Sequence, residues 1–154
     1  MAEVVFRSTQ YLSDADAQAI AVYLRALPQR AIAPAEVVKP SAATLERGAK
    51  VYEQHCAQCH GDNGEGKPGA FPALAGNRAV VLQDPTNLVR VVLQGGYLPA
   101  TAGNPRPHGM PPFMQVLGDD DVAAVSTFVR NAWGNQAPAV GTIGVYRARE
   151  RRGS

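Results

Sequence analysis

The chain has 154 residues and only two cysteines, and both fall in the pentapeptide Cys56-Ala57-Gln58-Cys59-His60. This spacing constrains the chain more than any other feature, because few kinds of site use two thiols and an adjoining imidazole in this order. The thiols are spaced to reach the two vinyl groups on one edge of a haem, while the imidazole reaches the iron. The motif therefore predicts one covalent haem c on Cys56 and Cys59, with His60 as the proximal iron ligand.

Two other chemistries use paired cysteines. A thioredoxin-like redox pair has the same spacing without the histidine, but no βαβ pattern surrounds the motif. A zinc site would need two more ligands from His55, His108 and the carboxylates. Both alternatives remain open from the residues alone, and haem is the favoured interpretation.

The sixth ligand of a haem iron has to come from a distant segment. Met110 is our choice, because it lies in the loop His108-Gly109-Met110-Pro111-Pro112, where rigid prolines flank a flexible thioether. Met114 is the competitor, and a core position under the last helix is the alternative role for it. His108 would give a bis-imidazole iron, and an iron with an open sixth position is the remaining possibility.

The composition indicates one globular domain. Hydrophobic residues make up 45% of the chain and charged residues 18%, and the net charge of +2 is too balanced to indicate nucleic-acid binding. No apolar run is long enough to span a bilayer. The N-terminus does not have the pattern of an export signal, so we expect that a signal was removed or that the chain is a fragment.

Helical patterns dominate the sequence. The periodicity of apolar residues and the capping residues predict four helices, at about residues 14–26, 42–55, 85–94 and 119–132. The segments 61–80 and 96–113 are rich in glycine and proline, which predicts loops. The sequence thus predicts an all-α fold.

An internal repeat bears on the domain organisation. Leu12-Ser13-Asp14-Ala15-Asp16 matches Leu117-Gly118-Asp119-Asp120-Asp121, 105 residues later, and the match continues along both helices. We interpret residues 1–27 as the helical end of a preceding, truncated copy of the module. The alternative is that two amphipathic helices are merely alike. The predicted organisation is a truncated copy, a proline-rich linker, the haem domain and a tail, at residues 1–27, 28–40, 41–134 and 135–154.

Residues 41–134 resemble the class I cytochrome c family. The features that carry the resemblance are the helix before the Cys-x-x-Cys-His motif, the loop at residues 71–77, and Met110-Pro111 ahead of a final helix. The resemblance implies three to four helices packed around a covalently attached haem c. It implies a close crossing of the first and last helices, with Gly48 and Tyr52 facing Val125 and Phe128. It also implies that the backbone carbonyl of Pro72 accepts a hydrogen bond from His60.

A narrower resemblance concerns residues 8–14, 110–113 and 129–135. These stretches are similar to the multihaem cytochrome subunit of bacterial membrane-bound alcohol, aldehyde and gluconate dehydrogenases. The resemblance implies an electron-transfer domain, not an enzyme, in a periplasmic protein that could be attached to the outer face of the inner membrane. It implies redox partner proteins, above all a dehydrogenase subunit, with ubiquinone as a further candidate partner.

Two further interpretations stay open. An iron with a displaceable sixth ligand would make the protein a gas sensor or peroxidase. The tail at residues 135–154 carries four arginines beyond several apolar residues. It could lie on an anionic membrane surface or on a partner subunit, or it could be a disordered end.

Overall fold

The computed structural model describes residues 2–28 and 39–150. Within these ranges the regular structure is helical, and β pairing is limited to two isolated bridges. The all-α prediction is confirmed for this part of the chain. The contacts divide the chain into two compact units, Met1–Pro34 with Tyr97–His108, and Ala35–Gly96 with Gly109–Ser154.

The first unit contains helix α1 (Ala2–Arg7), a short 3-10 helix (Thr9–Tyr11) and helix α2 (Asp14–Ala26). The helix predicted at residues 14–26 is confirmed. Its start is fixed by Ser13, whose side-chain oxygen accepts the N–H of Asp16. No residue of α2 is buried. The proposed linker at residues 28–40 lies mostly outside the described residues.

The second unit contains five helices within the described residues. They are α3 (Ala42–His55), α4 (Ala57–His60), α5 (Thr86–Gln94), α6 (Asp119–Val129) and α7 (Thr142–Glu150). Helix α5 begins one residue later than predicted, with the Asp84 carboxylate accepting the N–H of Thr86. Helix α6 ends at Val129 and not at residue 132. The N–H groups of Asn131 and Ala132 both donate to the Phe128 carbonyl (2.9 and 2.8 Å), and the φ of 53° at Trp133 takes the chain out of the helical conformation.

Helices α3 and α6 form the largest helix–helix contact of the unit. They cross at Gly48, where a Cβ atom would lie 2.3 Å from the carbonyl oxygen of Ala124 and 2.6 Å from Cβ of Phe128. Only glycine permits this approach. The predicted crossing is present and Phe128 is in it as expected, but Gly48 meets Ala124 in place of Val125, which lines the cavity described below.

Three aromatic rings fill the space beside this crossing. Tyr52 lies with its ring centroid 5.5 Å from that of Phe128 and 4.9 Å from that of Trp133. Gly64 lies against the indole, since a Cβ there would be 2.5 Å from Trp133, and its φ of 66° also favours glycine. The aromatic cluster thus connects α3, α6 and the loop that follows α4.

The segment predicted as a tail is part of the fold up to residue 150. Helix α7 packs against α5 and α6, with Val145 and Ala148 buried in the core of the second unit. Val140 is also buried, and its N–H donates to the Thr127 hydroxyl (2.9 Å). A disordered end is therefore wrong for residues 142–150. The sequence did not show it because one short helix with two inward residues gives only a weak periodic pattern.

Candidate haem site

The end of α3 places the two cysteines and the histidine on one tight turn. The Cys56 N–H still donates to the Tyr52 carbonyl (2.8 Å), which continues the helical ladder of α3. The chain then turns into α4, where the His60 N–H donates to the Cys56 carbonyl (2.9 Å). Both cysteines are half-buried free thiols, and His60 is buried. The turn brings the three predicted side chains to adjacent positions.

The ring of His60 is oriented by the backbone of Pro72. Its Nδ1 lies 2.9 Å from the Pro72 carbonyl oxygen. Because a carbonyl can only accept, Nδ1 carries the proton, and Nε2 is left with a lone pair for a metal. The hydrogen bond implied by the resemblance is present in the structure.

The loop after the motif folds back over it and is anchored at both ends. The Gly66 N–H donates to the His60 carbonyl (2.7 Å), and the Leu74 N–H donates to the Gly64 carbonyl (2.7 Å). At the far end, buried Asn135 donates from its amide to the carbonyls of Leu74 (3.0 Å) and Val129 (2.7 Å). Asn135 was not singled out from the sequence, because an asparagine after a helix is ordinarily a surface cap.

A half-open cavity lies beside His60, entirely within the second unit. It has about 810 Å³ of space free of protein atoms, including the part open to solvent. Three of the residues that line it, Cys56, His60 and Met110, are chemically distinctive. The others are Pro72, Leu74, Ala79, Val80, Asn87, Leu88, Val91, Val92, Val125, Ser126 and Val129. The lining is almost wholly apolar. An imidazole, a thioether and a thiol in an apolar wall fit a haem c, since these groups are its usual axial and covalent partners.

Met110 is held in the wall by its backbone. Its N–H donates to the Gly96 carbonyl (2.8 Å), and its carbonyl accepts from the Gly96 N–H (3.1 Å). Met114 belongs to the same unit but does not line the cavity; it packs against the hydrophobic core. His108 belongs to the first unit. The structure therefore brings Met110, and not Met114, to the cavity that contains His60.

The two other chemistries of paired cysteines find little support. Burial raises the pKa of the Cys56 thiol to about 11, and the neighbouring Cys59 adds to the shift. A reactive dithiol needs a lowered pKa, because the thiolate is the nucleophile. Among residues 2–28 and 39–150, no group of three or more His, Cys, Asp or Glu side chains is placed to hold a metal ion.

The buried Arg130 was also not anticipated. It is fully buried, and its guanidinium donates to the carbonyls of Val80 (2.8 Å), Leu82 (2.8 Å) and Pro138 (3.1 Å). These bonds fix the segment that contributes Ala79 and Val80 to the cavity wall. An arginine in the last turn of a helix ordinarily interacts with the negative end of the helix dipole. The sequence does not distinguish a buried guanidinium from an exposed one at such a position.

The family model for cytochrome c matches residues 45–133, which is more than half of the chain. The chain belongs to the cytochrome c family. The match covers the Cys-x-x-Cys-His motif, Pro72 and Met110, and with it the class I cytochrome c fold prediction is confirmed. Members of this family carry haem c and its iron, and the domain is accordingly a haem c domain whose function is electron transfer.

Individual proteins that resemble the chain make the family assignment more specific. The chain is 41% identical over 153 residues to the cytochrome c subunit of the alcohol dehydrogenase (quinone) of Gluconobacter oxydans, a match over 93% of this chain and 31% of the relative. It is 36% identical to the gluconate 2-dehydrogenase cytochrome c subunit of Pantoea cypripedii, over 92% and 34%. Cytochrome c-552 of Thermus thermophilus is 38% identical over 91 residues, 57% of this chain and 69% of that protein.

This cytochrome c chain spans about a third of the length of the dehydrogenase subunits that it matches. The relatives give no support to the gas-sensor or peroxidase alternative. Among the helices of the described residues, none has the length and apolarity needed to cross a membrane.

Proposed function

We propose that this domain relays single electrons through one haem c attached to Cys56 and Cys59, with His60 and Met110 as the axial ligands of the iron. The observation that carries the proposal is the apolar cavity that is lined by both His60 and Met110. When bound, the haem supplies a one-electron iron couple, and a histidine–methionine pair raises its potential above that of two histidines.

The protein's own residues orient the iron ligands and keep water out of the cavity. The Pro72 carbonyl fixes the tautomer of His60 and strengthens it as a ligand, as a hydrogen-bonded carbonyl does for ligating histidines. The apolar side chains of α5 and α6 exclude water from the cavity, and their low polarity disfavours the more highly charged state of the site. No acid–base group is needed for this work.

The partner of the domain is proposed from the relatives. Because two of them are cytochrome c subunits of alcohol and gluconate dehydrogenases, we expect the chain to accept electrons from a dehydrogenase subunit, which carries out the substrate chemistry. Ubiquinone or another redox protein would take the electrons onward. Such a chain would operate in the periplasm, in contact with the outer face of the inner membrane.

The domain organisation belongs to the same proposal. Residues 1–27 would be the end of a preceding haem module, residues 28–40 a linker, and residues 41–134 the haem domain. Support comes from the sequence repeat and from the fact that the relatives are about three times as long. The helix α7 that follows the haem domain packs on it and extends the compact unit.

The ligand assignment is tested on protein matured in a host that attaches haem c. We expect the mass of the chain plus one haem, and in the oxidised spectrum the weak long-wavelength band of methionine-ligated iron. Met110→Ala should lose this band and bind carbon monoxide rapidly when reduced. Met114→Ala is the matched control, because it removes a thioether four residues away that does not line the cavity; it should keep the band.

A colourless chain of bare mass would refute the haem assignment. If Met114→Ala lost the band and Met110→Ala kept it, the distal ligand would be Met114. The relay itself is tested by mixing the oxidised domain with the catalytic subunit of a quinone-dependent alcohol dehydrogenase and its substrate. Haem reduction at catalytic rates supports the proposed partner, whereas a fully oxidised haem after many turnovers of the catalytic subunit contradicts it.

A further inference from the structure

Residues 110–117, here called the methionine segment, join the cavity to the start of α6. Backbone hydrogen bonds join the segment to α5 and to Gly96, which follows α5 in the chain. The Phe113 N–H donates to the Val92 carbonyl (3.1 Å) and the Met114 N–H to the Leu93 carbonyl (3.0 Å), in addition to the two bonds between Met110 and Gly96. In addition to these backbone hydrogen bonds, the Phe113 ring lies edge-on to the ring of His55, with 5.9 Å between the centroids.

Arg149, a side chain of α7, also binds the methionine segment. The Arg149 guanidinium donates to the carbonyl of Met114, to the carbonyl of Leu117 (2.9 Å) and to the carboxylate of Asp119 (2.6 Å). Arg149 and Asp119 are each about three-quarters buried. Bonds from a partly buried guanidinium are stronger than neutral ones, and its planar fork reaches several acceptors at once.

Helix α7 is itself firmly placed. Val145 and Ala148 are buried against α5 and α6, so the Arg149 side chain starts from a fixed position. The helix lies beyond residues 45–133, the range that matches the cytochrome c family. The general family pattern therefore does not assign it a role.

We propose that α7 acts through Arg149 as a clamp on the methionine segment, which keeps the Met110 thioether in the cavity wall. Arg149 is a positioning residue: it touches the segment four and seven residues after Met110, and not the methionine itself. The inference rests on the proposed function, since it requires Met110 as the distal ligand. Its consequence is that loss of Arg149 makes the sixth position of the iron easier to open.

The test uses the whole chain with its haem attached. In Arg149→Ala we expect carbon monoxide to bind the reduced protein about tenfold faster than in the wild type, because charged hydrogen bonds that restrain the methionine segment are lost. The long-wavelength methionine band should also disappear at a lower temperature than in the wild type. Arg149→Lys keeps the charge beside Asp119 but loses the fork, so it should fall between the two.

Two controls separate positioning from general loosening. Arg147→Ala removes the same charge from an exposed position on the same helix and should bind carbon monoxide like the wild type. Val51→Ala weakens the hydrophobic core at α3, outside the cavity lining, and leaves α7 and the Arg149 side chain in place. It should lower the unfolding temperature with a much smaller change in the carbon monoxide rate.

The outcomes are distinct. If Arg149→Ala folds with haem and binds carbon monoxide at the wild-type rate, the clamp is refuted; if it does not fold, the Arg149→Lys rate decides by the same criterion. An equal acceleration in Val51→Ala at a matched unfolding temperature also refutes it. A wild-type protein without the methionine band, or with immediate carbon monoxide binding, instead refutes the Met110 assignment and the proposed function.

Discussion

Helices α2 and α6 share a sequence pattern but differ completely in burial. The residues that match are Ile20 with Val125 and Leu24 with Val129. The α2 members are 47% and 55% exposed, whereas the α6 members are 2% and 5% exposed. An apolar stripe therefore specifies which face of a helix can be buried, and the presence of a partner helix decides whether it is.

Helix α6 has such a partner in α3, and the described residues of the first unit include no helix that buries α2 in the same way. The contrast agrees with the interpretation that α2 is the last helix of another copy of the module, which remains a prediction. It also gives matched positions in one chain. The same substitution can be made where the partner is present and where it is not.

The largest expected difference concerns the matched arginines Arg130 and Arg25. We expect Arg130→Ala to lower the free energy of unfolding by about 4 kcal/mol, because three carbonyls in a buried place lose their donor. Arg25→Ala removes an exposed side chain and should change it by less than about 0.5 kcal/mol. Denaturant unfolding of the haem-containing chain, followed by circular dichroism, measures both.

Equal effects at the two arginines would break the comparison, because they would mean that α2 is buried by a contact of similar strength. An Arg130→Ala effect near zero would contradict the role of its hydrogen bonds. Arg130→Lys should recover little, since an ammonium group does not reach three carbonyls with the geometry of a guanidinium.

The second prediction concerns the helix crossing that α6 has. Gly48→Ala should cost about 3 kcal/mol, because the new Cβ would overlap the Ala124 carbonyl and no flexible side chain can yield. Gly144→Ala is the matched control on α7, where a Cβ meets nothing within 4 Å. It should stabilise the protein by about 0.5 to 1 kcal/mol through helix propensity. If both substitutions had the same sign, the close crossing would not be the reason for Gly48.

Much of the fold and site could be predicted from local signals. The helix starts at Ser13 and Ser41 follow from their capping side chains, and the Cys-x-x-Cys-His motif favours haem attachment over the other chemistries of paired cysteines. The crossing at Gly48 and the bond from His60 to Pro72 followed from the family resemblance. These features depend on residues within one turn or on a pattern shared by many proteins.

What could not be predicted depends on long-range polar contacts. Arg149 meets its carbonyl partners 32 and 35 residues earlier in the chain, and Arg130 meets Val80 at a distance of 50 residues. An arginine in a sequence looks the same whether it is solvated or buried, because its partners are backbone carbonyls that every residue possesses. The weak periodicity of α7 adds to this, so the sequence predicts a tail where the structure has a packed helix.

The third prediction compares matched apolar residues. Val125→Ala should lower the free energy of unfolding by about 2 kcal/mol, since it removes buried methyl groups from the core beside the haem cavity. Ile20→Ala removes more atoms but from an exposed position, and we expect a change below about 0.5 kcal/mol in this chain. Thermal unfolding of both variants checks this. A larger loss for Ile20→Ala would show that the face of α2 is covered in solution.

The smallest expected effect is a pH dependence that arises in the interface of α6. Burial raises the pKa of Tyr52 to about 12 from its ordinary value of 10.0, and the hydroxyl donates to the Gly61 carbonyl. Below pH 10 the phenol is protonated in both states, so its contribution is complete. Between 10 and about 12 only the unfolded chain ionises, and stability is lost as pH rises.

Tyr52→Phe should cost about 1 kcal/mol at neutral pH through the lost hydrogen bond. It should also lose less stability than the wild type as the pH rises through that window, because no phenol remains at this position to ionise. Denaturant unfolding of both proteins at several pH values gives the difference, in which all other titrating groups cancel. If the difference in unfolding free energy between wild type and variant stays constant with pH, the Tyr52 hydroxyl is as accessible to solvent as a tyrosine on α2. In that case α3 does not bury the face of α6 at this point.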